Sequence, residues 1–192
     1  MQDFLSVEPW GFVLAALLIL TVPLPWLCSA ALAALIHECF HILAILLCGY
    51  RVLGIRLRLG GAEIDTDLDG GVPELLCAIA GPAGSLLLLT LCHRFPILSL
   101  CGAAQGLFNL LPVYPLDGGR AMTCLIRLFF PEKADVLGKW IFRAVFAFLS
   151  AVCIYGTICL SLGFFPIILL LILLINAFLR KRPCKQRQIR VQ

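Results

Sequence analysis

Two histidines four residues apart, with a glutamate directly after the first, stand at His37-Glu38-Cys39-Phe40-His41. On a helix, residues four apart project from nearly the same face. Both imidazoles can therefore bind one Zn2+, and the glutamate between them can take a proton from the attacking water of a hydrolysis. A catalytic zinc uses three protein ligands and keeps a fourth position open. The third should be another His, Asp or Glu, and Asp117 is the obvious candidate. It stands in Asn109-Leu110-Leu111-Pro112-Val113-Tyr114-Pro115-Leu116-Asp117-Gly118-Gly119. In the same string, the Asn109 amide can donate hydrogen bonds to a substrate carbonyl or a developing oxyanion. Plainer readings stand beside these: Asp117 as a helix end at an interface, Asn109 as a satisfied core amide.

The elements that must position these groups are set by an apolar composition. Of 192 residues, 61% are of the AVILMFWYC set and only 14% are charged, with a mean hydropathy of +1.03. A soluble domain has about 45–50% apolar and about 25% charged residues. Too little polar surface exists here to cover a water-soluble globule. A soluble enzyme, a disordered regulator and a secreted disulfide scaffold are thereby disfavoured, and an integral membrane protein is expected. Ionisable residues inside a bilayer are costly, so His37, Glu38, His41 and Asp117 each count as functional until shown otherwise. His93 and Arg94 lie at a span end and need no special account. His37 follows Leu27 by ten residues. That is about 15 Å along a helix, which puts the histidines near mid-bilayer. The prolines and glycines around Asp117 interrupt a membrane segment. Such backbone is tolerated at depth where it is buried in protein or lines a polar cavity.

Six apolar runs are candidate spans: Trp10 to Val22, Trp26 to Cys48, Leu75 to Cys92, Ile97 to Leu111, Trp140 to Leu162 and Phe164 to Leu179. The first is short and ends at Pro23-Leu24-Pro25; the fourth is short because it runs into Pro112 and Pro115. With six spans, one side of the membrane collects every Lys and Arg except Arg94, with Arg143 just inside the fifth span. That asymmetry makes this side cytoplasmic, including the basic tail of residues 180–192. No groove-reading motif accompanies the tail, so a nucleic-acid partner is not expected. The ten cysteines contain no CxxC pair and read mainly as small hydrophobes in apolar runs.

Residues 51–69 have a different period. Ile55, Leu57 and Leu59 alternate with Arg56 and Arg58; after Gly60-Gly61, Ala62, Ile64 and Thr66 alternate with Glu63, Asp65 and Asp67. This predicts a β-hairpin. Folding at Gly60-Gly61 opposes Arg58 with Glu63, Arg56 with Asp65 and, on the other face, Leu57 with Ile64. Its edge offers an extended peptide a place to add as a strand. Asp65, Asp67, Asp69 and Gly70 suggest a calcium loop, but the twelfth position is Leu76 rather than Glu and Pro73 interrupts it.

An HExxH motif in one membrane span, with NxxPxxPLDGG in a later one, resembles the site-2 protease family of intramembrane zinc metalloproteases. The likeness is greatest to its stage IV sporulation protein FB-like branch, and it covers roughly Leu24 to Arg120. The resemblance implies zinc bound by His37, His41 and Asp117, Glu38 as general base and Asn109 near the substrate. It implies cleavage of transmembrane or membrane-proximal segments of other proteins, often to release a regulator. One departure is Ala80-Gly81-Pro82-Ala83-Gly84-Ser85, where many family members carry GPxxN; Ser85 stands in place of the Asn. No PDZ-sized insertion or CBS domain is seen.

The expectation is an all-α polytopic membrane protein of about six transmembrane helices with a short membrane-adjacent hairpin. Residues 1–179 form one membrane-embedded metalloprotease domain, followed by the cytoplasmic tail. One zinc per chain, membrane protein substrates, membrane regulatory partners and a bacterial cell membrane complete it. Two alternatives stay open: a metal-binding membrane protein or transporter, and a non-catalytic member that binds transmembrane segments. A transporter usually shows paired broken helices, and only one clearly broken span is visible here.

Overall fold

A computed structural model describes residues 5–7, 21–58, 61–68, 70–113, 116–158 and 170–171. In chain order these form β1 (Leu5–Val7), α1 (Leu24–Leu47), β2 (Val52–Arg58), β3 (Gly61–Thr66), α2 (Gly71–Leu87), α3 (Pro96–Asn109), α4 (Asp117–Phe129) and α5 (Ala134–Ile158). Short 3-10 turns, Leu88–Leu91 and Pro131–Lys133, follow α2 and precede α5. Residues 1–142 make one compact unit and 143–192 a second; the groups of interest all lie in the first.

Helix α1 begins at a proline pair, Pro23 and Pro25, where the missing N–H groups would find no helical partner in any case. Its end is a Schellman motif. Tyr50 N–H donates to the Ile45 carbonyl and Gly49 N–H to Leu46. Gly49 takes φ 82°, the left-handed conformation that this turn requires and that glycine adopts without strain. The buried residues of α1 are Ala33, His37, His41 and Ile45, one every fourth position. That spacing makes a single stripe on one side of the helix. Leu32, Leu35, Leu43, Leu46 and Leu47 are exposed. A helix with its polar side chains inward and leucines outward is built for lipid rather than water.

Helices α2 and α3 pack on that stripe through small residues. The buried positions of α2 are Cys77, Ala78, Gly81, Pro82, Gly84 and Ser85; those of α3 are Ser99, Gly102 and Gly106. Small residues let backbones approach closely, which is how helices associate in a bilayer.

Three described helices are long and apolar enough to cross a membrane: Leu24–Leu47, Gly71–Leu91 (α2 with its 3-10 turn) and Val136–Ile158. They correspond to the second, third and fifth apolar runs. The fourth run becomes α3, whose 14 residues are fewer than the roughly 20 a full span needs. The first and sixth runs lie almost wholly outside the described residues, as does the basic tail. The expected count of six is therefore not reached among the described residues; the fold is mostly helical with a small sheet.

The hairpin is present, with a corrected register. Strands β2 and β3 are antiparallel, pairing Ile55 with Ile64, Arg56 with Glu63, Leu57 with Ala62 and Arg58 with Gly61. The connection is therefore residues 59–60, not Gly60-Gly61, and each pair is displaced by two residues from expectation. A strand has a period of two, so a two-residue displacement keeps the parity of the pairing. The alternation determines faces and does not discriminate between such partners. An irregularity between Val52 and Gly54 adds a bulge. Asp67 closes the base by accepting from Arg51 N–H at 2.7 Å. A third strand was not anticipated: β1 pairs in parallel with β2, Leu5 opposite Ile55 and Val7 opposite Leu57. Sheet order is β1-β2-β3, so among the described residues the hairpin edge that remains open is that of β3.

Candidate active site

Helix α1 presents His37 and His41 one turn apart on its buried stripe. Their rings meet edge to face, centroids 4.8 Å apart. Asp117 reaches the same point from a distant part of the chain. It is the first residue of α4, where the positive end of the helix dipole favours a carboxylate. The break before it is short: Leu110 N–H closes α3 on Gly106, Val113 N–H bonds Leu111, and Leu116 N–H bonds Val113. Val113 is fully buried. Val113 and Leu116, on either side of residues 114–115, are thus packed within protein, as irregular backbone at membrane depth is.

The three ligand atoms form a nearly equilateral triangle. His37 Nε2 lies 3.0 Å from Asp117 Oδ2, His41 Nε2 lies 3.1 Å from the same oxygen, and the two Nε2 atoms are 3.2 Å apart. All three side chains are buried, with residue exposures of 3%, 7% and 9% for His37, His41 and Asp117. Zinc binds His nitrogen and carboxylate oxygen at about 2.0–2.1 Å in tetrahedral geometry, which sets ligand atoms about 3.3 Å apart. The observed triangle fits an ion of that size. Two soft-to-borderline nitrogens and one carboxylate also suit zinc chemically.

Each ligand has a partner on its outer side. His41 Nδ1–H donates to the Cys77 carbonyl at 2.7 Å. His37 Nδ1 lies 2.8 Å from Ser85 Oγ. Asp117 Oδ1, the oxygen turned away from the histidines, faces Arg120 Nη1 at 4.0 Å, one helical turn on. Such partners orient ligands and tune their basicity. Gly81 makes the arrangement possible. A Cβ there would strike the His41 ring, so only glycine lets α2 pass this close.

Glu38 follows His37 on α1 and is half-buried. Asn109 is the last residue of α3, half-buried. Among the described residues no hydrogen bond joins its amide to the triad. Sequence reasoning noticed Ser85 only as a departure from a pattern, and missed the Cys77 carbonyl and Arg120. The i,i+3 spacing of Asp117 and Arg120 was a usable signal; a backbone carbonyl carries none.

Residues 10–105 match the family described as Peptidase M50B-like. That range holds the HExxH helix and Ser85 but ends before Asn109 and Asp117. Stage IV sporulation protein FB of Bacillus subtilis (strain 168) is 25% identical over 185 residues, covering 82% of this chain and 64% of that protein. The Synechocystis protein sll0528, named provisionally as a zinc metalloprotease, is 32% identical over 124 residues, 53% of this chain and 33% of that protein. The chain thus spans less than two thirds of the length of either curated relative. In fold it resembles the Site-2 Protease from Methanocaldococcus jannaschii, with a TM-score of 0.65 over 95% of this chain and 93% of that one at 21% identity.

Proposed function

The chain belongs to the Peptidase M50B-like, site-2 protease family, and from that premise we propose that it is an intramembrane zinc metalloprotease acting on peptide bonds in or near transmembrane segments of other membrane proteins. The observation that carries this reading is the His37–His41–Asp117 triangle, buried between apolar helices and sized for one zinc. A bound zinc supplies Lewis acidity, lowering the pKa of water toward about 7 and polarising the scissile carbonyl. His37 and His41 would hold it through Nε2 and Asp117 through Oδ2. Glu38 takes a proton from the attacking water on its carboxylate and passes it to the leaving amine nitrogen. Asn109 donates from its amide to the substrate carbonyl oxygen as negative charge develops there. A helical peptide bond is shielded by its neighbours, so the substrate must unwind. Strand β3, whose outer edge is open in the sheet, can hold an extended segment by main-chain hydrogen bonds. Substrates come from a bacterial cell membrane, and membrane regulatory partners restrain the activity.

Glu38→Gln tests the chemistry separately from the fold. New protein termini should appear in or near transmembrane segments in membranes of cells expressing the wild type. They should be absent with Glu38→Gln, whose zinc content is unchanged. Cleavage that persists in the variant removes Glu38 as the base. No cleavage by either protein, with zinc bound to both, favours the non-catalytic reading.

A further inference from the structure

The two imidazoles are held by different kinds of group. His41 Nδ1 faces the Cys77 carbonyl, which only accepts, so the proton of the neutral ring must sit on Nδ1. Nε2 is then a lone pair, ready for a metal. His37 Nδ1 faces the hydroxyl of Ser85 at 2.8 Å, which can accept or donate. Ligation through His37 Nε2 requires the same tautomer as in His41, with Nδ1–H directed at an acceptor. Ser85 Oγ supplies one in a place where water does not. The residue is 0% exposed, and α3 closes over it: Gly102 and Gly106 pass so near its backbone and Cβ that an added methyl on either glycine would crowd it.

Its bonding also departs from that of the other helical hydroxyls. Thr123, Ser150 and Thr157 each donate to the carbonyl four residues back on their own helix. Ser99 donates to Leu88. The Ser85 hydroxyl instead bridges from α2 to a side chain of α1, 48 residues away in sequence. We infer that Ser85 is a positioning residue for the metal centre, fixing the tautomer and ring rotation of His37 so that Nε2 points at the position shared with His41 and Asp117. The inference rests on the zinc-site reading above and adds a residue that acts on the metal only through His37. Without the hydroxyl, the imidazole would either bury an unpartnered N–H or shift its proton to Nε2, where it blocks ligation.

The test compares Ser85→Ala with Ser99→Ala in detergent-purified full-length protein, reading zinc affinity by chelator competition. Both substitutions remove one buried hydroxyl, from residues 0% and 2% exposed, but only Ser85 faces a ligand. Ser85→Ala should weaken zinc binding by about 10–100-fold, the usual effect of losing a partner of a metal-ligating histidine. Ser99→Ala should bind zinc as the wild type does. Thermal midpoints of the zinc-stripped proteins identify a variant that fails to fold. In that case Ser85→Thr, which keeps the hydroxyl, must retain zinc where Ser85→Ala loses it. Equal affinities for wild type and Ser85→Ala, or equal losses in the two alanine variants, overturn the inference while leaving the zinc site standing. A wild type that binds no zinc overturns the site itself, and this inference with it.

Discussion

At the level of single residues, the triad unites two kinds of signal. His37 and His41 were legible because four-residue spacing on a helix needs no knowledge of the rest of the fold. Asp117 was legible only as an acid in an apolar, proline-broken segment, and nothing in the spacing from 41 to 117 says that the two meet. Their meeting is a product of α4 starting at Asp117, with Oδ2 turned to both imidazoles. The outer partners were legible unevenly: the Cys77 carbonyl looks like any other carbonyl in a sequence, Ser85 stood out only as a departure from a pattern, and Arg120 was signalled by its i,i+3 spacing from Asp117. The consequence is testable at Asp117. Asp117→Ala leaves two nitrogens, and the purified variant should lose the roughly one zinc per chain that the wild type holds. The loss should exceed the about 10–100-fold effect of an outer partner. Metal analysis of the two proteins side by side decides this, and zinc undisturbed by the substitution would break the link between the two motifs.

Among the elements, close approach of α2 to α1 matters more than the length of either. Hydropathy located both helices, because a run of apolar residues long enough to span is a property of one segment. Which side of α2 would face α1 depended on Gly81 and on the ring it clears, a relation between two segments. The hairpin gives a parallel case, since alternation established the faces of β2 and β3 but could not resolve a two-residue displacement of register. The parallel strand β1 was missed because three residues are too short for a period to show. Two glycine substitutions separate packing from propensity. In Gly81→Ala the added methyl meets the His41 ring. Overpacking of this kind costs about 1–3 kcal/mol, and the displaced ring should lose zinc as well. Gly138, in α5, has nothing within 4 Å of an added Cβ. Gly138→Ala should leave zinc unchanged and raise stability slightly, by up to about 1 kcal/mol, because alanine loses less backbone freedom in a helix. Thermal midpoints of the two variants would then move in opposite directions, and only Gly81→Ala would lose zinc. A Gly81→Ala protein with wild-type zinc would show that the helices can separate without disturbing the site.

For the molecule as a whole, the sheet ties together parts of the chain that hydropathy treats separately. Strand β2 follows the end of α1, and β1 pairs with β2. Residues 5–7 are therefore joined to the sheet that follows α1, not to the end where α1 begins at Leu24. Charge placement points the same way by an independent route. The 49–74 segment, the 112–139 segment and the basic run from Arg180 to Arg190 hold nearly all the Lys and Arg, whereas the opposite connections hold only Arg94. Cytoplasmic loops carry such an excess. Hydrogen bonding of β1 joins residues 5–7 to the sheet, and the distribution of cations predicts that the segments carrying them face the cytoplasm. Reporter fusions test it directly. A fluorescent protein that folds only in the cytoplasm should be bright when joined at residue 192 or residue 1. Alkaline phosphatase, active only outside, should be active when joined after Arg94. Activity of phosphatase at residue 1, with fluorescence kept at residue 192, would separate the N-terminus from the sheet side. The pairing of β1 with β2 would then have to be abandoned, while the site built from α1, α2 and α4 would be unaffected.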